Sequence, residues 1–327
     1  MSSESTSNPE PHFSDRTLRV LVTGATGFIG QLLVKALLAD GHELVVLTRR
    51  IEAAQVILGS RVKCISRMDD LPSDYVLNLI VNLAGARILG WRWTEARKKL
   101  LRASRIELTK SIVDWIARAE HKPELLLSAS AIGYYGIQPL GDAADLNETS
   151  PPQPIFMSQL CQEWEAEALR AKDAGVAVKI MRFGVVLGHE GALPMMMLPI
   201  KLAMGGKLAT GQQWFSWIHV QDLLRGMAHL YRLYQLERHE HLTPHTAYNF
   251  TAPEAVSQWE FSRQAASVLH RPCVMRTPAF AMRLLLGEQA DLLLEGQKVV
   301  PTNLLRSGFA FQFPTLKSAL VDLCARA

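Results

Sequence analysis

Cysteine is scarce in this chain and scattered: Cys64, Cys161, Cys273 and Cys324 are 4 residues in 327, with no C-x-x-C pair among them. That spacing offers neither a zinc ribbon nor a disulfide framework, and it reads as reduced, mostly buried thiols. Long apolar runs are missing too. None approaches the ~20 residues a membrane helix needs, so the chain is not expected to span a bilayer. Nor is there an excess of one charge. Thirty-five basic against 31 acidic residues leave a net +4, too little and too scattered for a nucleic-acid partner. The one dense basic stretch, Arg92–Arg105, reads as the solvated face of a helix. Met1–Arg16 is rich in Ser, Pro and Glu. It lacks both the apolar core of a secretory signal and the Arg-rich, acid-poor pattern of a transit peptide. Residues 1–17 are therefore expected to form a disordered tail on a cytoplasmic protein.

What is present is a globular composition, 48% hydrophobic and 20% charged, on a chain long enough for about two domains. From Leu18 onward short apolar runs alternate with stretches of helical period. Strands are expected at Leu18–Val22, Glu43–Thr48, Val62–Ser66, Val76–Leu83, Glu124–Ala129 and Val176–Phe183. Helices are expected at Phe28–Ala39, Thr94–Ala119 and Ile155–Ala174. This rhythm predicts an α/β fold: a Rossmann-type, doubly wound parallel sheet with right-handed crossovers over residues 18–187. After Gly188 the rhythm changes. A helix at Met195–Met204, a strand at Trp214–Val220, a helix at Gln221–Gln235, a strand at Tyr248–Thr251 and then short Pro-broken helices suggest a smaller, mainly helical C-terminal lobe over 188–327, with the chain crossing between lobes.

The loop between the first strand and first helix carries Gly24, Ala25, Thr26, Gly27, Phe28, Ile29 and Gly30. Glycine every third residue there allows a tight turn, close approach of backbone to a pyrophosphate and close packing of helix on strand. The helix N-terminus supplies N–H groups and partial positive charge to phosphates. The loop reads as a dinucleotide site. An acidic residue at the end of the second strand would bind a ribose 2′-hydroxyl and select NAD. The chain has Thr48, Arg49 and Arg50 there instead, and a guanidinium pairs with a 2′-phosphate, which points to NADP(H).

These features, with Asn82-Leu83-Ala84-Gly85 after the fourth strand, Ser128-Ala129-Ser130 and Tyr134-Tyr135-Gly136 after the fifth, and Trp217-Ile218-His219-Val220-x-Asp222, resemble the extended short-chain dehydrogenase/reductase superfamily. More closely, the chain is similar to its atypical, sugar-nucleotide-epimerase-like "epimerase family protein" branch. That branch carries R-W-T-E-A-R (Arg92–Arg97), S-R (Ser104-Arg105), S-W-I-H-V-x-D (Ser216–Asp222) and L-L-L-E-G-Q-K-V-V-P (Leu292–Pro301) with Gly308-Phe309. The resemblance implies cofactor contacts from the glycine loop, Asn82, Leu83, Ala84, Gly85, Arg105 and Val186, and it implies that Ser130 helps to orient a reacting oxygen. Members of the superfamily often dimerise, so a homodimer is an expectation of the resemblance too.

The chain departs from the superfamily where chemistry is usually carried. A Tyr-x-x-x-Lys pair would fall at Ile155 and Gln159, or one residue on at Phe156 and Leu160, and neither register restores an acid or a cation. Tyr134 and Tyr135 are the substitutes at hand, either as proton donors or as rings that pack beside a ligand. The Arg and Asn that bind a nucleotide-sugar are replaced by Phe215 and Val185, so a UDP-sugar is disfavoured. The aromatics of Trp214–Trp217 line an apolar pocket or form interlobe core. His239-Glu240-His241 with His245 lacks the H-E-x-x-H spacing, and no metal site is assigned. Two functions remain open. One is an NADP(H)-dependent oxidoreductase or epimerase-like enzyme acting on a small, fairly apolar alcohol or carbonyl compound. The other is a non-catalytic regulatory protein responsive to NADP(H), for example in cell division.

Overall fold

The structure, a computed structural model, describes residues 11–88, 93–286 and 294–325. Short, β-branched and Leu-rich runs form the strands β1 (Arg19–Thr23), β2 (Glu43–Leu47), β3 (Val62–Ile65), β4 (Leu79–Asn82), β5 (Leu125–Ala131) and β6 (Ala177–Phe183). The helices α1 (Phe28–Ala39), α2 (Ile51–Leu58), α3 (Glu95–Arg118) and α4 (Phe156–Leu169) lie between them. All six strands pair in parallel, and the order β3-β2-β1-β4-β5-β6 reverses direction at β1 and β4. In open parallel sheets that reversal opens a crevice at the carboxyl ends of the strands.

The pleat sorts the strand residues between two cores. Val20, Val22, Val81 and Leu127 meet Leu33 and Leu37 of α1 on one face. Leu21, Ile80, Leu126 and Ile180 meet Ile112, Trp115 and Ile116 of α3 on the other. Being apolar on both faces, these strands have helices on both sides.

After β6 the chain forms β7 (Val185–Leu187), α5 (Leu193–Lys201), β8 (Gly205–Leu208), β9 (Trp214–Phe215), β10 (Trp217–His219) and α6 (Val220–Glu240). The segment assigned to the second lobe then returns to the first. α6 packs Leu223, Met227 and Leu230 into the α1-side core, and β11 (Ala247–Phe250) becomes the seventh strand, parallel to β6. β12 (Val256–Ser257), α7 (Gln258–Val268) and β13 (Cys273–Thr277), with a closing helix at Leu316–Ala325, build a third core around Leu187, Trp217, Phe261 and Leu320.

Several expectations need correction. Trp214–Val220 is two strands, because the Ser216 hydroxyl between them donates to the Gln297 carbonyl at 2.7 Å. The helix expected over Ile155–Ala174 stops at Leu169, and one tighter turn, Arg170–Ala174, ends it at Gly175 in the left-handed region. α2 and β13 were not anticipated. The tail also differs: Phe13 is fully buried, its N–H donates to Asp40 at 2.7 Å, and Arg16 pairs with Glu124. A buried aromatic ring, a hydrogen bond and an ion pair together hold this segment. Residues 1–10 lie outside the described residues, as do Arg92 of the basic stretch and Leu292 and Leu293 of the C-terminal motif.

Candidate functional site

The glycine loop leaves β1 at the sheet's reversal and enters α1. Gly24 adopts φ +69°, and a Cβ there would lie 2.9 Å from the Leu83 carbonyl carbon and oxygen. Only glycine allows β1's exit to lie flat on the chain leaving β4. A Cβ on Gly30 would overlap the Gly24 carbonyl oxygen, so that glycine seats the helix on the loop. Gly27 is different. It is exposed, its N–H returns to the Gly24 carbonyl at 3.0 Å, and it stands at the N-cap of α1 with no side chain capping the helix. The first-turn N–H groups are therefore open to an anion. Ala25 is buried beneath the loop and Thr26 exposed upon it. Ile29 packs on the α1-side core, and the Phe28 ring fills the space that side chains at Gly188 and Gly191 would need.

Asn82 corrects one expectation. It is fully buried, accepting from Thr23 Oγ1 at 2.7 Å and donating to Thr109 Oγ1 at 2.9 Å. Thr23 Oγ1 in turn accepts the N–H groups of Leu83 and Ala84, each at 3.2 Å. Asn82 thus fixes the Leu83–Gly85 backbone from below and does not face the crevice. Leu83 and Ala84 are partly buried and Gly85 is exposed. Arg49 and Arg50 are exposed at the end of β2, where Arg50 also caps α2. Val186 lies in β7, in register with Ile218, and packs on the α1-side core. Arg105 is buried against Gly85, donating to the Ala86 carbonyl at 3.1 Å.

Beyond β5 the expected catalytic trio gathers around one buried ion pair. Ser130 and Arg182 are register partners in β5 and β6, and their even-numbered positions point toward α4. Ser130 is 2% exposed and donates to Glu165 Oε1 at 2.6 Å. Arg182 holds both oxygens of Glu165 at 2.8 Å. Burial opposes that guanidinium's charge, but the carboxylate outweighs it and raises the Arg182 pKa. Tyr135 is 1% exposed; its hydroxyl donates to Asn249 Oδ1 at 2.6 Å and accepts from Arg182 at 3.0 Å. Burial pushes this phenol up to about 12. Ser130 and Tyr135 are therefore members of a buried network and not groups presented to a substrate. Tyr134 is half-buried, its ring 3.4 Å from the Arg182 guanidinium carbon.

The family described as NAD dependent epimerase/dehydratase matches residues 20–249. The chain belongs to that family. A domain of unknown function, DUF1731, matches residues 277–323. An epimerase family protein SDR39U1 homolog of Arabidopsis thaliana is 39% identical over 321 residues, covering 93% of this chain and 86% of its own. An epimerase family protein of Staphylococcus saprophyticus is 38% identical, over 93% of this chain and 98% of its own. The crystal structure of human epimerase family protein SDR39U1 with NADPH superposes with a TM-score of 0.82 at 32% identity, over 95% of this chain and 100% of that one.

In this epimerase/dehydratase-family chain the start of α4 carries no acid–cation pair. Ile155 is the N-cap, Gln159 points to solvent, Leu160 is core, and Phe156 packs edge-on to Trp93 at 5.4 Å. Of the aromatics after β8, Phe215 packs on Phe261 at 4.8 Å and Trp217 is fully buried, with Val185 in the same cluster, whereas Trp214 is partly exposed and donates its Nε1–H to the Asp142 carbonyl at 2.8 Å. His239 and Glu240 end α6, and His241 closes it at φ 54°. The Glu165–Arg182 pair escaped the sequence reading. Its one signal was a cation interrupting the apolar run of β6, and its acid lies 17 residues upstream. The C-terminal motif has a structural job. Gly296 bridges to Gln138, Val299 bridges to Leu146 and donates to Ser216 Oγ, so this run ties the lobes together. No described helix is long and apolar enough to cross a membrane.

Proposed function

We propose that this protein binds NADP(H) at the β1–α1 loop and acts in the cytoplasm as an oxidoreductase on a small alcohol or carbonyl compound. The observation that carries the cofactor is the exposed Arg49–Arg50 pair at the end of β2, beside an uncapped helix N-terminus and a cradle that Cβ atoms would fill. Gly24 and Gly27 bring backbone to the diphosphate, the N–H groups of α1 meet its charge, and Arg49 and Arg50 pair with the 2′-phosphate. The NADPH in the human relative's crystal agrees with this choice. When bound, the nicotinamide supplies hydride transfer. Tyr134 stands at the carboxyl end of β5 with its ring held by Arg182; it is the phenol left to give a proton. The free thiols of Cys64, Cys161, Cys273 and Cys324 fit a reducing compartment.

A second reading rests on the start of α4, where Ile155 and Gln159 supply neither acid nor cation. On it, NADP(H) is bound as a signal and is not consumed. Loss of reduced-nicotinamide absorbance with a panel of small aldehydes and ketones separates the two. Turnover that Tyr134→Phe reduces supports the enzyme. Tight NADPH binding with no turnover on any carbonyl supports the signal. Failure to bind NADPH overturns both.

A further inference from the structure

α5 is apolar on both sides. Leu193, Met197 and Ile200 face the third core. Met195, Leu198 and Leu202, at i, i+3 and i+7, lie along the opposite side and are 74%, 57% and 58% exposed. A surface helix normally turns polar residues to water, so an outward apolar stripe marks a face built to be covered. Four of the chain's 11 methionines fall within Met195–Met204. Their unbranched, polarisable side chains adapt to the shape of whatever lies on them.

Place and charge decide what covers this face. α5 follows β7 beyond the carboxyl end of β6, and Gly188 and Gly191, just before it, pack on the Phe28 ring of the glycine loop. The stripe therefore starts beside the crevice and extends ~10 Å along the helix from there. No Asp or Glu lies between Glu190 and Asp222, or between Glu260 and Glu288, the segments that supply α5, β8 and β13. Their charges are cations. Lys201 closes α5, and Lys207 of β8 stands in register with Arg276 of β13. Like charges set opposite each other are destabilising, and an anion among them relieves that. A second copy of this chain would bring the same cations against themselves.

We propose that this face of α5 binds the unbranched hydrocarbon chain of an aliphatic carboxylate, the chain lying on Met195, Leu198 and Leu202 and the carboxylate meeting Lys201, Lys207 and Arg276. This rests on the NADP(H)-dependent oxidoreductase reading of the crevice and names its substrate class: the reacting alcohol or carbonyl is carried at the crevice end of such a chain.

Hexanoate, octanoate, decanoate and the neutral 1-decanol are titrated calorimetrically into the full-length protein, with and without NADPH. Affinity is expected to rise about two- to fourfold per methylene, and decanoate to bind more tightly than 1-decanol. Met195→Ser with Leu198→Ser, both at exposed positions, should abolish the dependence on chain length. Lys201→Gln with Arg276→Gln should keep that dependence and remove the advantage of decanoate over 1-decanol. Equal affinity across the series, or both variants binding as the unaltered protein does, overturns the proposal and leaves NADPH binding standing as its own result. Sedimentation with phosphatidylglycerol vesicles in a protein that binds no single amphiphile assigns the face to a bilayer and overturns it as well. So does a dimer that Met195→Ser with Leu198→Ser dissociates, again with no amphiphile bound. Binding that depends on chain length and on Lys201, in a protein that fails to bind NADPH, supports the site and overturns the cofactor reading alone.

Discussion

Arg182 holds both carboxylate oxygens of Glu165, each at 2.8 Å, and the pair is almost wholly withdrawn from solvent. The ion pair joins the end of β6 to α4, and around it gather Ser130, Tyr134 and Tyr135. Removing one partner strands the other charge in a dry site, which costs about 3–5 kcal/mol. Arg182→Met is therefore expected to lower stability by that amount. Ser130→Ala leaves the ion pair intact and removes one hydrogen bond, at a cost of about 1 kcal/mol. Urea unfolding of both variants checks the ranking. A Ser130→Ala protein of normal stability that cannot turn over substrate would return Ser130 to the reaction.

The loop glycines should separate folding from binding. A Cβ at Gly27 meets the Gly24 carbonyl oxygen at 3.3 Å and otherwise open space, whereas one at Gly30 overlaps the loop backbone. Gly27→Val is expected to keep its circular dichroism and lose NADPH binding, because a branched side chain then stands before the uncapped helix end. Gly30→Val should be poorly folded. NADPH raising the thermal midpoint of Gly27→Val as in the unaltered protein would contradict the loop assignment.

Cofactor choice should lie in the two exposed arginines after β2. Arg49→Asp with Arg50→Ala is expected to weaken NADPH about tenfold or more, since a charge-assisted hydrogen bond contributes ~1.5–3 kcal/mol, with NADH affected far less. Calorimetric titration of both cofactors measures it. Equal affinity of the unaltered protein for NADH and NADPH would refute the preference.

His229 should give the fold a pH dependence. Its Nε2 meets Ser307 Oγ at 2.8 Å, and burial, aided by the nearby cations Arg232, Lys179 and Arg225, lowers its pKa from 6.5 to about 4. The unfolded chain then takes up this proton at a higher pH than the folded one. The stabilisation is complete above pH ~6.5 and is lost as the pH falls toward 4. His229→Gln, which cannot titrate, should flatten the stability profile over that interval. An unchanged slope in chemical denaturation at pH 6.5, 5.5 and 4.5 would assign the acid sensitivity to other groups.

The amino-acid sequence by itself determined the α/β class, the glycine loop and the bounds of α1, which runs from Phe28 to Ala39 as its spacing predicts. These are local properties. Period, glycine spacing and an apolar strand followed by an amphipathic helix all lie within the one continuous stretch Arg19–Ala39. Tertiary structure decided what each polar residue at a strand end does. Ser130 and Tyr135 have the right residue types at the right edge, yet the pleat turns Ser130 toward α4, and Asn249, 114 residues on, takes the Tyr135 hydroxyl. Phe13 reads as part of a polar tail until Asp40 and the pocket beside α1 receive it. Arg105 reads as one cation in a basic helix until burial removes its water and leaves it, among the described residues, without an acid. Burial and partnership depend on residues far apart in the chain, which is why the fold alone assigned them.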